Sequence, residues 1–332
     1  MRDVNHFSAQ RRIFWWWLGL LVLVLVLSVI SLNVGASRMK LLHLFTEPDD
    51  KVSQLLFVSR LPRTIALILA GAALAVSGLI LQMLARNRLV EPSSTGTVDA
   101  AIFGMLLCTL VAPDMAMWLK FSVVTVCSIV GTVLFLTVLK CIPLRSALIV
   151  PLVGLVLAGV LHTGNNLLAH QFELSQALQA WDSGDFSAIL RGRYELLWVA
   201  AGITLLAMLL ADRFTVMGMG KDFATNMGLS YTSLLSVGVL LVSMVIASIV
   251  VIAGVIPFIG FLVPNLIRLI AGDNLRRAIP LVVLAGSALM LAADLLGRLL
   301  IHPYEVPASS ILAIVGSIVF LVILLRGRKQ WA

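Results

Sequence analysis

Long apolar runs, separated by short polar breaks, fill most of the chain. The runs are continuous rather than alternating, which predicts membrane-spanning helices and excludes a β-barrel. Ten spans fit, at about 13–34, 61–84, 93–112, 117–139, 147–170, 193–211, 233–253, 255–271, 279–301 and 307–325. Three polar stretches stand between them: 35–60 with Glu47-Pro48-Asp49-Asp50, 171–192 with Trp181-Asp182-Ser183-Gly184-Asp185, and 212–232, which has no span of its own. None is large enough to fold alone. The expectation is an all-α polytopic protein with one membrane domain over residues 1–332.

The pattern breaks most sharply between Gly254 and Asn274. This stretch is apolar enough for a membrane, yet it holds Pro257, Pro264, three glycines and Arg268. Proline removes a backbone donor. A broken helix persists in hydrocarbon only when buried in protein or lining a wet cavity. Small residues recur at close-packing spacing, at Gly71, Ala75 and Gly78 and again at Gly154, Ala158 and Gly159, and predict tight helix contacts.

Composition agrees. Of 332 residues, 60% are hydrophobic and 12% charged, about half the charge of an average soluble domain. The net charge of +8 does not imply nucleic acid, because no basic cluster is interleaved with aromatics and Lys/Arg at membrane edges explains the sign. Ten spans put both termini on one side. With the termini in the cytoplasm, 15 of the 24 Lys and Arg lie inside, which sets the orientation. Arg11, Arg12 and the run 13–32 imitate a signal peptide, but a run of about 20 residues exceeds the usual apolar region and reads as an uncleaved first helix. Cys108, Cys127 and Cys141 are too few and too irregular for a disulfide framework or a metal site, and read as buried thiols.

Little here suggests catalysis. Gly218-Met-Gly-Lys221-Asp222 hints at a phosphate loop, but Thr215 stands at the first glycine position and Asp222 where Ser or Thr should follow. Any ATPase must then be a separate subunit, or the energy must come from an ion gradient. The five histidines form no HxxxH pair; His162 and His170 could share a helix face, and read as packing residues. Polar residues within spans are stronger candidates, since such groups face a bundle or cavity: Gln82, Asp99, Asn165, Asn166 and Asp294. Asn165-Asn166 is the leading pathway candidate. Asp294 and Arg298, at i,i+4, either form a local pair or serve function. Arg60, Arg63 and Arg298 fall at the outer mouth, either snorkelling to headgroups or offering a cationic docking surface.

Taken together, Arg60-Leu-Pro-Arg63, Gly71–Gly78, Gln82 and Arg86-Asn87 resemble the early signature of the FecCD-type permeases. Gly254–Gly260, Pro264, Arg268, Gly272-Asp273, Pro280, Asp294, Arg298, Glu305-Val-Pro307 and Gly316 resemble the later one. These are membrane subunits of type II ABC importers for iron siderophores, haem and vitamin B12. The resemblance implies ten helices per subunit, a dimer around a central pathway, an ATPase dimer below and a substrate-binding protein above. It implies that Arg60, Arg63 and Arg298 receive that protein's glutamates. It places the coupling helices at 218–231, with Gly218, Lys221, Asp222, Phe223, Ala224, Asn226, Met227 and Gly228 on the ATPase and Gly228 ending a short helix, where glycine relieves the left-handed strain. Trp181 and Asp182 correspond to the outer gate; the pathway or gate candidates Gln82, Asn165, Asn166, Pro257, Pro264 and Asn265 come from the polar residues and helix breaks within the spans themselves.

The chain departs from the family pattern where Arg88 and Asn265 replace a proline and a histidine, and where Ala308-Ser309 follow Pro307. These departures resemble the ferric catecholate-type branch, serving enterobactin, vibriobactin, petrobactin or anguibactin, in which two different permeases often pair. The resulting expectation is a bacterial inner-membrane permease half importing a ferric siderophore by alternating access. The iron belongs to the cargo, so no cofactor or protein metal site is expected. The rivals are a haem or vitamin B12 permease of the same family, a gradient-driven transporter relying on Asp99 and Asp294, a membrane-bound enzyme and a purely structural subunit.

Overall fold

A computed structural model describes residues 2–34, 56–142, 148–192, 194–272, 274–301 and 304–331. Glu47–Asp50, Arg145 and Asp273 lie outside the described residues. The first helix, α1, spans Arg2–Asn33. A π-turn, Leu56–Arg60, feeds α2, Leu61–Leu84, which carries Pro62 in its first turn, where the missing donor costs nothing. A 3₁₀ turn, Pro92–Ser94, precedes α3, Thr97–Val111. Then follow α4, Met117–Cys141, and α5, Ile149–Gln171. The outer segment forms α6, Ser175–Asp182. Next come α7, Leu197–Leu209, α8, Ala211–Gly218, and α9, Lys221–Asn226. The last four are α10, Tyr231–Ala253, α11, Ile259–Ala271, α12, Leu275–Leu300, and α13, Ala308–Trp331.

Each of the ten predicted spans contains a helix. Among the described residues six are long and apolar enough to cross a membrane; α7 and α8 pass the same test only as a pair bent by 66°, and α3, α11 and α13 supply shorter apolar helices. Helix ends differ from expectation by up to about ten residues, and two of the differences bear on the site. Residues 92–96 are not α-helical, because the chain passes through the 3₁₀ turn Pro92–Ser94 and a left-handed Gly96 before α3 begins. The polar segment 171–192 holds α6, an amphipathic surface helix with Leu178 buried.

The core is built around α2, which is mostly buried and packs against α12, α11, α10 and α7. The predicted small-residue face makes this possible. A Cβ on Gly71 would collide with the Gly286 carbonyl, and one on Gly78 with the Gly260 backbone. Here α2 meets α12 and α11 backbone to backbone. By contrast, α1 and α5 are left nearly bare by the rest of the chain. Cys108 is buried, but Cys141 is exposed at the inner end of α4, against the expectation of a buried thiol.

Candidate functional site

At the outer mouth four charged side chains converge. Arg63, one turn into α2, donates from Nη2 to Asp294 Oδ1 at 2.7 Å and from Nη1 to Glu305 Oε2 at 2.8 Å. Arg298 donates from Nε to the other Asp294 oxygen at 2.7 Å. Asp294 is 2% exposed and Arg298 6%. The local i,i+4 pair read from the sequence therefore exists, inside a larger cluster. Arg298 also reaches the end of α1, donating to the carbonyls of Ser31 (3.2 Å) and Val34 (2.9 Å), while Arg60 donates to Leu32 (2.8 Å). Two cations thus satisfy the carbonyls that a helix C-terminus leaves open. The three candidate docking arginines come together, with Arg298 at the base of the cluster.

Midway down, the α10–α11 break takes shape. Gly254 ends α10 at φ +84, where its α-hydrogen faces the Trp181 carbonyl and a Cβ would collide with it. The next amide, Val255, donates to that carbonyl at 2.8 Å. Pro257 and Phe258 complete the unwound stretch, with Phe258 at φ +68, unusual for a bulky residue. The break therefore holds the Trp181–Gly184 segment by backbone contact. Pro264 sits inside α11 and does not interrupt it. Gln82 is buried in α2 and donates to the Gly260 carbonyl at 3.2 Å. Asn265 donates to the Arg88 carbonyl at 2.9 Å, so the two departures from the family pattern are bonded to each other.

The pathway candidates on α5 divide. Asn165 is buried and donates to the Asp99 carbonyl at 2.9 Å. Asn166 is exposed and donates to the His162 carbonyl. His162, read as a packing residue, instead is 47% exposed at its side chain, with Nδ1 3.4 Å from Asp99 Oδ1. His162, Asn166 and His170, at i, i+4 and i+8, form one exposed polar stripe on a bare helix. The eight-residue spacing of the histidines was the signal available in the sequence. Near this stripe, at the end of α6, partial burial pushes the Asp182 carboxyl above the ordinary range, against the pull of His162.

At the inner end, α8 and α9 form an exposed platform. Lys221, Asp222, Phe223, Asn226, Met227 and Gly228 are exposed, while Ala224 is buried and Gly218 packs against the Met83 sulfur. The end of α9 has the geometry its sequence predicts. Gly228 is left-handed at φ +75, its amide donates to the Thr225 carbonyl at 2.9 Å, and the Leu229 amide donates to Ala224 at 3.0 Å. That pair of bonds is a Schellman closure. Among the described residues no group of three His, Cys, Asp or Glu side chains is arranged to hold a metal ion.

Comparison with known proteins agrees with this layout. The chain is 36% identical over 313 residues to a petrobactin import system permease of Bacillus subtilis, covering 94% of this chain and 98% of that protein. It is 39% identical over 302 residues to a ferric-anguibactin transport system permease of Vibrio anguillarum, covering 90% and 95%. Among solved structures it superposes on a metal-chelate type ABC transporter in an inward-facing conformation, with a TM-score of 0.77 and 26% identity over 96% of this chain and 99% of that one. Residues 20–326 match the model of the FecCD transport family. With the helices, the outer charge cluster and the inner platform in the order that the early and late signatures imply, the chain belongs to the FecCD transport family, as a multi-pass membrane permease subunit.

Proposed function

We propose that this chain is one permease half of an ATP-driven importer that moves a ferric siderophore of the catecholate class across the bacterial inner membrane. The observation that carries the substrate class is the similarity, over nearly the whole chain, to petrobactin and anguibactin permeases. The second permease is a different, related chain. The pathway runs along the polar stripe of α5, because exposed His162, Asn166 and His170 suit water or cargo better than hydrocarbon. Arg60 and Arg63 form the rim on which an acidic binding protein docks, with Arg298 supporting them from beneath. The α9 platform seats the ATPase, presenting apolar Met219, Phe223 and Met227 beside Lys221 and Asp222.

The test is reconstitution of the chain with its ATPase, second permease and binding protein in liposomes. ATP inside should drive uptake of ferric petrobactin or ferric anguibactin, with haem and vitamin B12 excluded. Uptake driven by an ion gradient without the ATPase overturns the reading.

A further inference from the structure

Glu91 lies on the loop between α2 and α3, among apolar surroundings, and is 4% exposed. Its Oε1 accepts the Phe258 amide at 3.1 Å and the Ser93 hydroxyl. Phe258 is the N-cap residue of α11, which has no side-chain cap of its own. A carboxylate at that position satisfies an amide that the helix start leaves open and meets the positive end of its dipole. Glu91 therefore caps α11 from a residue 167 positions away.

The ties around this cap form a line. Asn265 fastens the lower part of α11 to the same loop through the Arg88 carbonyl. The loop begins at Arg86, left-handed at φ +48, whose guanidinium lies against Gly220, the residue that starts α9. Above the cap, three residues before Phe258, the Val255 amide holds the Trp181 carbonyl. Between the loop and the break, the Glu91 carboxylate is the member that crosses from one to the other beside the unwound Pro257 and Phe258.

We propose that Glu91 is a positioning residue that transmits movement of the cytoplasmic platform to the outer segment at Trp181–Gly184. When α9 is displaced, Arg86 and the loop follow, and the capped end of α11 moves with them. Gly254 and Val255 then shift the segment they hold. This role rests on the reading of α9 as the ATPase seat.

The experiment uses the full reconstituted complex with Asp182→Cys in a background lacking the three native cysteines. A membrane-impermeant maleimide is applied from the outer side, with and without ATP. ATP is expected to change the labelling rate several-fold in this parent. Glu91→Gln, which keeps shape but loses charge and one acceptor, should retain ATP hydrolysis and at least halve that change. Glu91→Leu should abolish it. A parent-sized change in both variants overturns the proposal, as does the absence of any ATP-dependent change in the parent. Loss of ATP hydrolysis in step with the labelling change also overturns it, by making Glu91 a folding residue. If Glu91→Leu does not assemble, Glu91→Gln decides on the same criterion. Failure of the parent complex to import either ferric siderophore, with its ATPase active and its labelling change intact, counts against the transport reading and leaves this proposal standing.

Discussion

Gln82 donates its side-chain amide to the Gly260 carbonyl at 3.2 Å, and that carbonyl is the one Pro264 leaves without a helical donor. Within α11 the residue four positions after Gly260 should supply the bond, but proline has no N–H. A side chain from the neighbouring helix supplies it instead. Removing it leaves a buried carbonyl unsatisfied in a dry interior, at a cost of about 2 kcal/mol. Gln82→Leu should therefore destabilise the parent by that amount in thermal unfolding. In a Pro264→Ala background the helix provides its own donor, and Gln82→Leu should be nearly neutral. Equal costs in the two backgrounds would refute the pairing.

Asp294 is the shared acceptor of two arginines, and it is more deeply buried than either. Asp294→Asn removes the carboxylate that bridges Arg63 and Arg298 and leaves Glu305 as the remaining anion beside Arg63. Breaking a buried ionic group costs about 3 to 5 kcal/mol, and the partial exposure of Arg63 puts the expectation at the lower end. The same change should loosen the outer end of α1, because Arg298 holds the Ser31 and Val34 carbonyls. Limited proteolysis near residue 34 should accelerate; an unchanged digestion rate would separate α1 from the cluster.

Arg60 has a different expected signature from Arg63 and Arg298, which share the buried Asp294. Charge reversal of Arg60 should weaken docking of the binding protein at least tenfold, with a loss that shrinks in high salt, because rim charges act through long-range attraction, whereas Arg63→Glu sets a third carboxylate against Asp294 and Glu305 and should destabilise the cluster. Arg298→Glu should also fail by destabilisation. Pull-down affinity read beside a melting curve distinguishes the two.

The helices were legible because membrane helices announce themselves locally, by length and continuous apolarity. Local chemistry was legible too: Asp294 and Arg298 share a face at i,i+4, and Gly228 was recognisable as a helix end. What the sequence did not show are the long-range polar bonds. Gln82 meets Gly260 across 178 positions and Arg63 meets Asp294 across 231, and nothing in either residue's neighbours specifies its partner. His162 was misread for the same reason, since burial on α5 depends on which helices cover it. The α6 helix was hidden because its polar composition matches a loop.

Gly228→Ala tests the inner platform. An L-residue in the left-handed region costs roughly 1 kcal/mol, enough to fray the last turn of a helix only six residues long. Global stability should hardly change, because the segment is exposed. ATP hydrolysis stimulated by the binding protein should fall, while the basal activity of the isolated ATPase stays the same. Unaltered stimulation would detach α9 from coupling.

The α5 stripe makes the most direct claim about where the cargo passes. On a helix, residues at i, i+4 and i+8 lie nearly in line, so His162, Asn166 and His170 occupy one face. Val160 and Leu167 are also exposed but lie well round the helix from that line. Hydrocarbon would tolerate Val160 and Leu167 and penalise the polar three. Single cysteines at the five positions should therefore divide in two. Asn166→Cys and His170→Cys should react with a charged thiol reagent, and His162→Cys should react more slowly because it lies deeper. Val160→Cys and Leu167→Cys should stay unreactive. His162→Leu should lower the maximal uptake rate while the complex still assembles, since it removes an exposed partner of Asp99 and places an alkyl group on the polar face. Uniform reactivity around α5 would show that this helix is wetted without preference and would remove the stripe as the pathway wall.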